Sequence, residues 1–277
     1  MSSPLKLTWK RFIRKPSGVL GGILCLLIFG VALLAPLLAT HDPLAQDLSK
    51  SKEPPSSEYF FGTDDMGRDI YSRVIHGSRV TLSVGFMAVG IALLLGIPLA
   101  LLAVSGGKYL DVMVTGIIDV FLAFPSLVLA LTIVAILGQN LQNAMIAIGI
   151  VYTPRFARIL RSAALTQMQQ DYIAAARVIN CSKSRLLFRH LLPNCVPVLL
   201  VAATLHLASA VLEAAALSFL GLGAQPPSPE WGAMLYEGRR YLMQIPTMTY
   251  FPGFAIFTSV MAINLLGDAL NDSFAGR

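Results

Sequence analysis

Residues 172–193 read YIAAARVINCSKSRLLFRHLLP, a polar and basic stretch inside a very apolar chain. The pattern predicts two short helices joined by a tight turn. Tyr172, Ile173, Ala176 and Ile179 recur at helical spacing, with Arg177 off to one side. Asn180 tolerates a left-handed backbone and so ends the first helix cheaply. Ser182 is placed to cap the second, whose apolar face is Leu186, Leu187, Leu191 and Leu192. Pro193 is expected to stop it. A small rigid knob of this kind, held between two membrane spans, suits docking to a soluble partner.

Composition sets the class. Of 277 residues, 55% are hydrophobic and 13% charged, against about 25% charged in soluble domains. Several apolar runs approach the ~20 residues that a helix needs to cross a bilayer. The fold expected is an all-α polytopic membrane protein with six spans, at 17–39, 79–104, 110–137, 141–163, 196–219 and 249–267. The first run, Ser17 to Ala39, is longer than a signal-peptide core and lacks a small-x-small cleavage site, so it reads as a retained span. Between the spans lie an amphipathic N-terminal segment (1–16), outer loops (40–78 and 220–248), the knob (166–193) and a C-terminal tail (268–277).

Charge orients the chain. With both termini in the cytoplasm, 14 of the 21 Lys and Arg lie inside, from Lys6, Lys10, Arg11, Arg14 and Lys15 to Arg277. Acids outnumber bases in the first outer loop. The net charge of +6 therefore marks cytoplasmic anchoring and contact with lipid, not nucleic-acid binding. Cys25, Cys181 and Cys195 lie outside the outer loops, so no disulfide framework and no metal site is expected.

The fourth span is the weakest. It is short, contains Tyr152, Thr153 and Pro154, and carries Arg155, Arg158 and Arg161 along one stripe. A proline in lipid needs neighbouring protein or water for the carbonyl it frees. The helix is therefore placed inward and runs on into the knob. An ordinary kinked helix with arginines reaching to phosphates is the other reading.

The knob and its flanks resemble the cytoplasmic coupling loop of importer permeases driven by ATP-binding cassette (ABC) subunits. The family pattern begins Glu-Ala-Ala, has a glycine a few residues later and ends in Leu-Pro. Here Ala174, Ala175 and Ala176 stand at the start, Asn180 at the glycine, and Leu192 and Pro193 at the end. Ala174 thus replaces Glu, and Asn180 replaces Gly.

Four further stretches are similar to the dipeptide, oligopeptide and nickel importers, and within them to the second of two paired permease subunits. They are FGTDDMGRDIYSRVIHGSRVTL (61–82), DVFLAFPSLVLA (119–130), LSFLGLGAQPPSPEWGAML (217–235) and NLLGDAL (264–270). The resemblance implies the type I ABC importer fold, with a coupling helix between spans 4 and 5. It implies a bacterial inner-membrane complex: a heterodimer with a related permease, two ABC ATPases that bind ATP and Mg, and an extracytoplasmic substrate-binding protein. Short peptides are the first cargo it suggests, glutathione-like peptides included; nickel or a nickel chelate is the alternative.

The residues support that division of labour. A phosphate-binding loop needs Gly-x-x-x-x-Gly-Lys-Ser/Thr, and the nearest approach, Gly107-Lys108-Tyr109, lacks the leading Gly and the hydroxyl. The chain itself is therefore not expected to be an enzyme. On this reading Asp171, Tyr172, Ala174, Ala175, Ala176, Arg177, Asn180 and Pro193 form the contact with the ATPase. Closure of the ATPases tilts the spans and alternates access. The competing reading is that Ala174 to Ala176 merely pack on neighbouring spans.

Ionisable groups at membrane depth are costly and call for a role. His206 and Glu213, seven residues apart, share a helical face with Ser209. They are candidates to line the passage; a hydrogen-bonded pair fixing the partner interface is the alternative. Asp119 is read as a structural bond to a neighbouring helix. Outside, Asp64 or Asp65 is expected to cap a surface helix with Ile70, Tyr71, Val74 and Ile75 on its apolar face. Asp65, Arg68, Pro227 and Trp231 are candidate contacts for the binding protein, Trp231 being equally suited to an interfacial anchor. An intramembrane enzyme would need a nucleophile beside a base, or His-Glu-x-x-His, and neither occurs. A receptor or scaffold would leave the coupling loop unexplained.

Overall fold

The computed structural model describes residues 12–275. Its helices are α1 (Pro16–Leu38), α2 (Ile70–Ser105), α3 (Gly107–Leu122), α4 (Ser126–Leu137), α5 (Leu141–Gln167), α6 (Asp171–Val178), α7 (Lys183–Phe219), α8 (Trp231–Gly238) and α9 (Thr247–Ala275). No strand occurs among the described residues; Thr63 and Asp69 form an isolated bridge. Most of the expected amphipathic segment 1–16 lies outside the described residues.

Helices α1, α2, α7 and α9 are each long and apolar enough to cross a bilayer. The expected third span is not straight. It breaks between Leu122 and Ser126 into α3 and α4, which are bent by 92° and reach spanning length only together. Phe124-Pro125 explains the break, because the residue before a proline is pushed out of the helical region and the proline lacks an N–H. Helix α5 is long enough, but three arginines in its second half keep it from being apolar enough.

Other boundaries differ from the sequence reading. The surface helix expected before span 2 does not stand alone: α2 is one helix of 36 residues. Its cap is Asp69, whose carboxylate accepts from the backbone N–H of Tyr71 and Ser72, and nothing between Ile70 and Ile97 breaks the helix. Pro193 does not end its helix either. A π-helical stretch, Leu186–Leu191, leads straight into regular helix, and Pro193 falls in that helix's first turn, where a missing N–H costs little. The C-terminal tail from residue 268 continues α9 to Ala275.

Helix α5 is the hub. It packs most extensively on α2 and also meets α3, α4 and α7. Tyr152, Phe156 and Leu160 are fully buried along it. Glycine lets α2 and α5 approach closely: a Cβ on Gly149 would lie 2.7 Å from the Cβ of Ile91. Helix α9 packs against α1 and α7, and the Lys15 ammonium reaches Asp272 at 2.5 Å. Leu26, Leu33 and Leu37 of α1 point away from the protein, with exposures of 75%, 76% and 82%, as a lipid-facing stripe should.

Candidate functional site

The knob forms by local rules. Helix α6 ends in a Schellman turn. The Asn180 N–H donates to the Arg177 carbonyl and the Cys181 N–H to the Ala176 carbonyl, each at 3.0 Å. Asn180 has φ of +53°. Asparagine is the usual stand-in for glycine in that region. The Ser182 hydroxyl then accepts from the Arg185 N–H at 3.4 Å. Ile173, Ala176 and Leu186 bury one another, with Met168 and Cys181 against them.

That cluster corrects two expectations. Ala176 is buried inside the knob and offers nothing to a partner. Ile179, grouped with Tyr172, Ile173 and Ala176 by helical spacing, lies beyond the helix end and is 79% exposed; Val178 beside it is 81% exposed. Asp171, Tyr172, Ala174, Ala175, Arg177, Asn180 and Pro193 are all exposed. The Tyr172 hydroxyl donates to Gln167 at 2.8 Å. Sequence reasoning missed Val178 and Phe188 as outward apolar residues.

The arginine stripe of α5 is partnered by protein. Arg158 pairs with Asp119, and Arg161 makes a fork of two bonds to Asp111, both 2.6 Å. Asp119 thus bonds a neighbouring helix, and Asp111 plays a like part that the sequence reading did not assign. The Arg155 guanidinium sits 4.9 Å from the Tyr152 ring centre.

His206, Ser209 and Glu213 occupy one side of α7 but have different surroundings. His206 contacts the rings of Tyr152 and Phe156 and borders a cavity of about 570 Å³ shared with Asn271 and Leu205. Glu213 faces the break in the third span. Its Oε1 accepts from the Ser126 hydroxyl at 2.7 Å. Its Oε2 is buried and unpartnered, and so is the Tyr152 hydroxyl beside it. Ser209 also lies next to that hydroxyl.

The cap built around Glu237 is the third candidate. The Asp64 carboxylate accepts from the Arg68 side chain at 2.6 Å and from the N–H groups of Met66 and Arg68, both at 2.9 Å. Arg68 and Arg73 both donate to Glu237, at 3.0 and 2.9 Å. Burial pushes the Glu237 carboxyl up, and Arg73 and Arg68 pull it back. Glu230, fully buried, caps α8 at the Ala233 N–H and accepts from Thr81.

Trp231 donates its indole N–H to the Val74 carbonyl at 2.9 Å. Two candidates for contact with the binding protein are therefore overturned: Arg68 is 3% exposed and Trp231 2%, both spent on holding the cap together. Asp65 and the exposed Pro227 remain, on the wall of a cavity of about 450 Å³ with Met66 and Arg240.

Residues 92–277 match the family described as "Binding-protein-dependent transport system inner membrane component", and residues 3–55 match the "N-terminal TM domain of oligopeptide transport permease C". The chain is 43% identical to the dipeptide transport system permease protein DppC of Alkalihalophilus pseudofirmus, over 98% of its length and 89% of that protein's. It is 45% identical to the di/tripeptide transport system permease protein DppC of Pseudomonas aeruginosa, over 98% and 91%. It is 40% identical to the glutathione transport system permease protein GsiD of Pectobacterium atrosepticum, over 98% and 90%. In fold it is similar to a chain of the inward-facing MetNI methionine ABC transporter, with a TM-score of 0.59 and 22% identity over 74% of this chain and 96% of that one.

Proposed function

We propose, from the premise that this chain belongs to the family of binding-protein-dependent transport system inner membrane components, that it moves short peptides across the inner membrane. Membership makes it a non-catalytic permease component of an ABC importer, with ATP hydrolysed by separate subunits. The peptide cargo rests on its relatives, which are named for dipeptides, di/tripeptides and glutathione.

The observation that carries the coupling role is the knob. It is a rigid, capped turn that presents Val178, Ile179 and Phe188 outward beside Arg177 and Lys183. Apolar residues raised on a fixed frame and ringed by cations fit a groove on a soluble protein better than they fit water. Asp171, Tyr172, Ala174, Ala175, Arg177 and Asn180 share that surface. On this reading an ATPase grips the knob, ATP and Mg are held by the ATPase, and both termini lie in the cytoplasm.

The chain crosses the membrane six times in this account, the bent pair α3–α4 making one crossing and α5 another. A related permease completes the passage. His206 lines it from the cavity beside Asn271, with Ser209 deeper on the same face. A binding protein meets the outer cap at Asp65, Pro227 and Arg240. Binding energy shifts the two access states only through its difference between them.

The test is to purify the chain with its neighbouring permease and ATPases and to measure ATP hydrolysis with binding protein and a dipeptide. The expected result is stimulation by both together. Stimulation by nickel and not by peptide would overturn the cargo. A chain that carries peptide without any ATPase would overturn the whole reading.

A further inference from the structure

A cavity of about 340 Å³ lies where the knob meets the end of α2. Two cations, Arg177 and Lys183, line it, and no carboxylate among the described residues does. Val104, Met168 and Leu187 supply apolar wall. The Arg177 guanidinium leans on the Met168 sulfur at 3.7 Å, on that same wall. Elsewhere the chain matches such cations itself: Lys15, Arg158 and Arg161 each meet an aspartate. Here positive charge faces a space that the chain leaves unfilled.

Position fixes the depth. Helix α2 is long and apolar enough to cross a bilayer. Its arginines, Arg73 and Arg79, stand near one end, and its apolar run reaches Val104 at the other, with Gly106, Gly107 and Lys108 following. A crossing helix leaves the hydrocarbon where its apolar run stops and polar residues begin. The cavity therefore sits at the level of the lipid headgroups.

We propose that this cavity binds the headgroup of an acidic phospholipid. Basic pockets between spans at this depth are suited to such lipids. Arg177 offers a planar fork to the phosphate and Lys183 a point charge. Val104, Met168 and Leu187 take the glycerol and the first methylenes, a wall for which a soluble phosphate has no use. Arg177 also borders the surface proposed for the ATPase, but its guanidinium turns to the Met168 side. The bound lipid bridges the knob and the end of α2. The inference rests on α2 crossing the membrane and is independent of the cargo.

The test places the assembled transporter in nanodiscs of mixed phosphatidylglycerol and phosphatidylcholine, extracts it and counts the retained lipids by native mass spectrometry. Wild type is expected to keep phosphatidylglycerol in preference to phosphatidylcholine. Lys183→Gln and Arg177→Gln, both at exposed positions, should each lower that preference about fivefold, the ratio that one cation near the lipid gives. Arg185→Gln and Arg189→Gln, on the same stretch but off the cavity wall, should change it little. Equal losses in the two pairs would mean a diffuse basic surface and overturn the site, and so would equal retention of the two lipids by wild type. Displacement of the lipid by millimolar inorganic phosphate would make it a site for soluble anions and overturn the assignment. Zero-length coupling of Lys183 to a carboxylate of the ATPase would put a protein acid in the cavity and overturn it as well.

Discussion

The cap around Glu237 and the knob are both built from chain between long helices, and they solve opposite problems. The cap buries its charges: Asp64, Arg68, Arg73 and Glu237 neutralise one another out of water, and Glu230 and Trp231 bond to α2. The knob leaves its charges outside, together with Val178, Ile179 and Phe188. Arg177 reaches only the Met168 sulfur, at 3.7 Å. Among the described residues no ion pair involves 171–193. A region that satisfies itself holds its shape alone; a region with open apolar surface is, on the proposed reading, half of an interface.

The sharpest way to break the comparison is to open the cap. Arg73→Met leaves the buried Glu237 without one of its two arginines. Removing one partner of a buried charge pair costs about 3–5 kcal/mol. The expected outcome is early melting and protease cutting of the outer loops, with the knob still able to bind ATPase; limited proteolysis with mass spectrometry reads both. If ATPase binding fell as steeply, the two regions would not be independent.

Next comes Ala175→Trp on the exposed side of α6. A bulky ring in a fitted contact costs about 3 kcal/mol, which weakens binding on the order of a hundredfold. Membrane insertion and thermal stability should stay normal while uptake stops and ATP hydrolysis loses its response to cargo. Full uptake in this variant would show that α6 is not in the contact.

Ile179→Ser sharpens the picture by testing an exposed apolar residue at the end of α6. Burying an isoleucine is worth about 1.5–3 kcal/mol, so ATPase affinity should fall about tenfold or more in a binding titration, with no loss of stability in the free complex. A loss of stability without a loss of affinity would place Ile179 in the packing of the knob and not in the contact. The smallest effect is expected from Asn180→Gly. Both residues accept φ of +53°, so melting temperature and coupling should change by less than about 1 kcal/mol.

How much of this was legible in the residues follows from the range of the forces. The knob's turn rests on contacts a few residues apart, so Asn180 and Ser182 announced it. The four apolar helices were legible because membrane thickness fixes a length. The places where reading failed depend on distant chain. Arg68 and Trp231 look like surface groups until Glu237 and Val74 arrive from elsewhere in sequence to claim them. Ile179 was misplaced because periodicity was carried one residue too far, past the end of α6. Pro193 was read as a stop because a proline's effect depends on whether it lies inside a helix or at its first turn. Ser126 and Tyr152 carried no signal, since an uncharged side chain in a span acquires meaning only from the carboxylate that α7 sets beside it.

The central claim is that the knob is a handle gripped by a separate ATPase. A photo-crosslinking residue in place of Ala175, in the assembled transporter, tests it most directly. The account predicts a covalent adduct with the ATPase subunit, its yield changing when ATP is added. An adduct with lipid or with the extracytoplasmic binding protein, in a complex that still imports peptide, would contradict it.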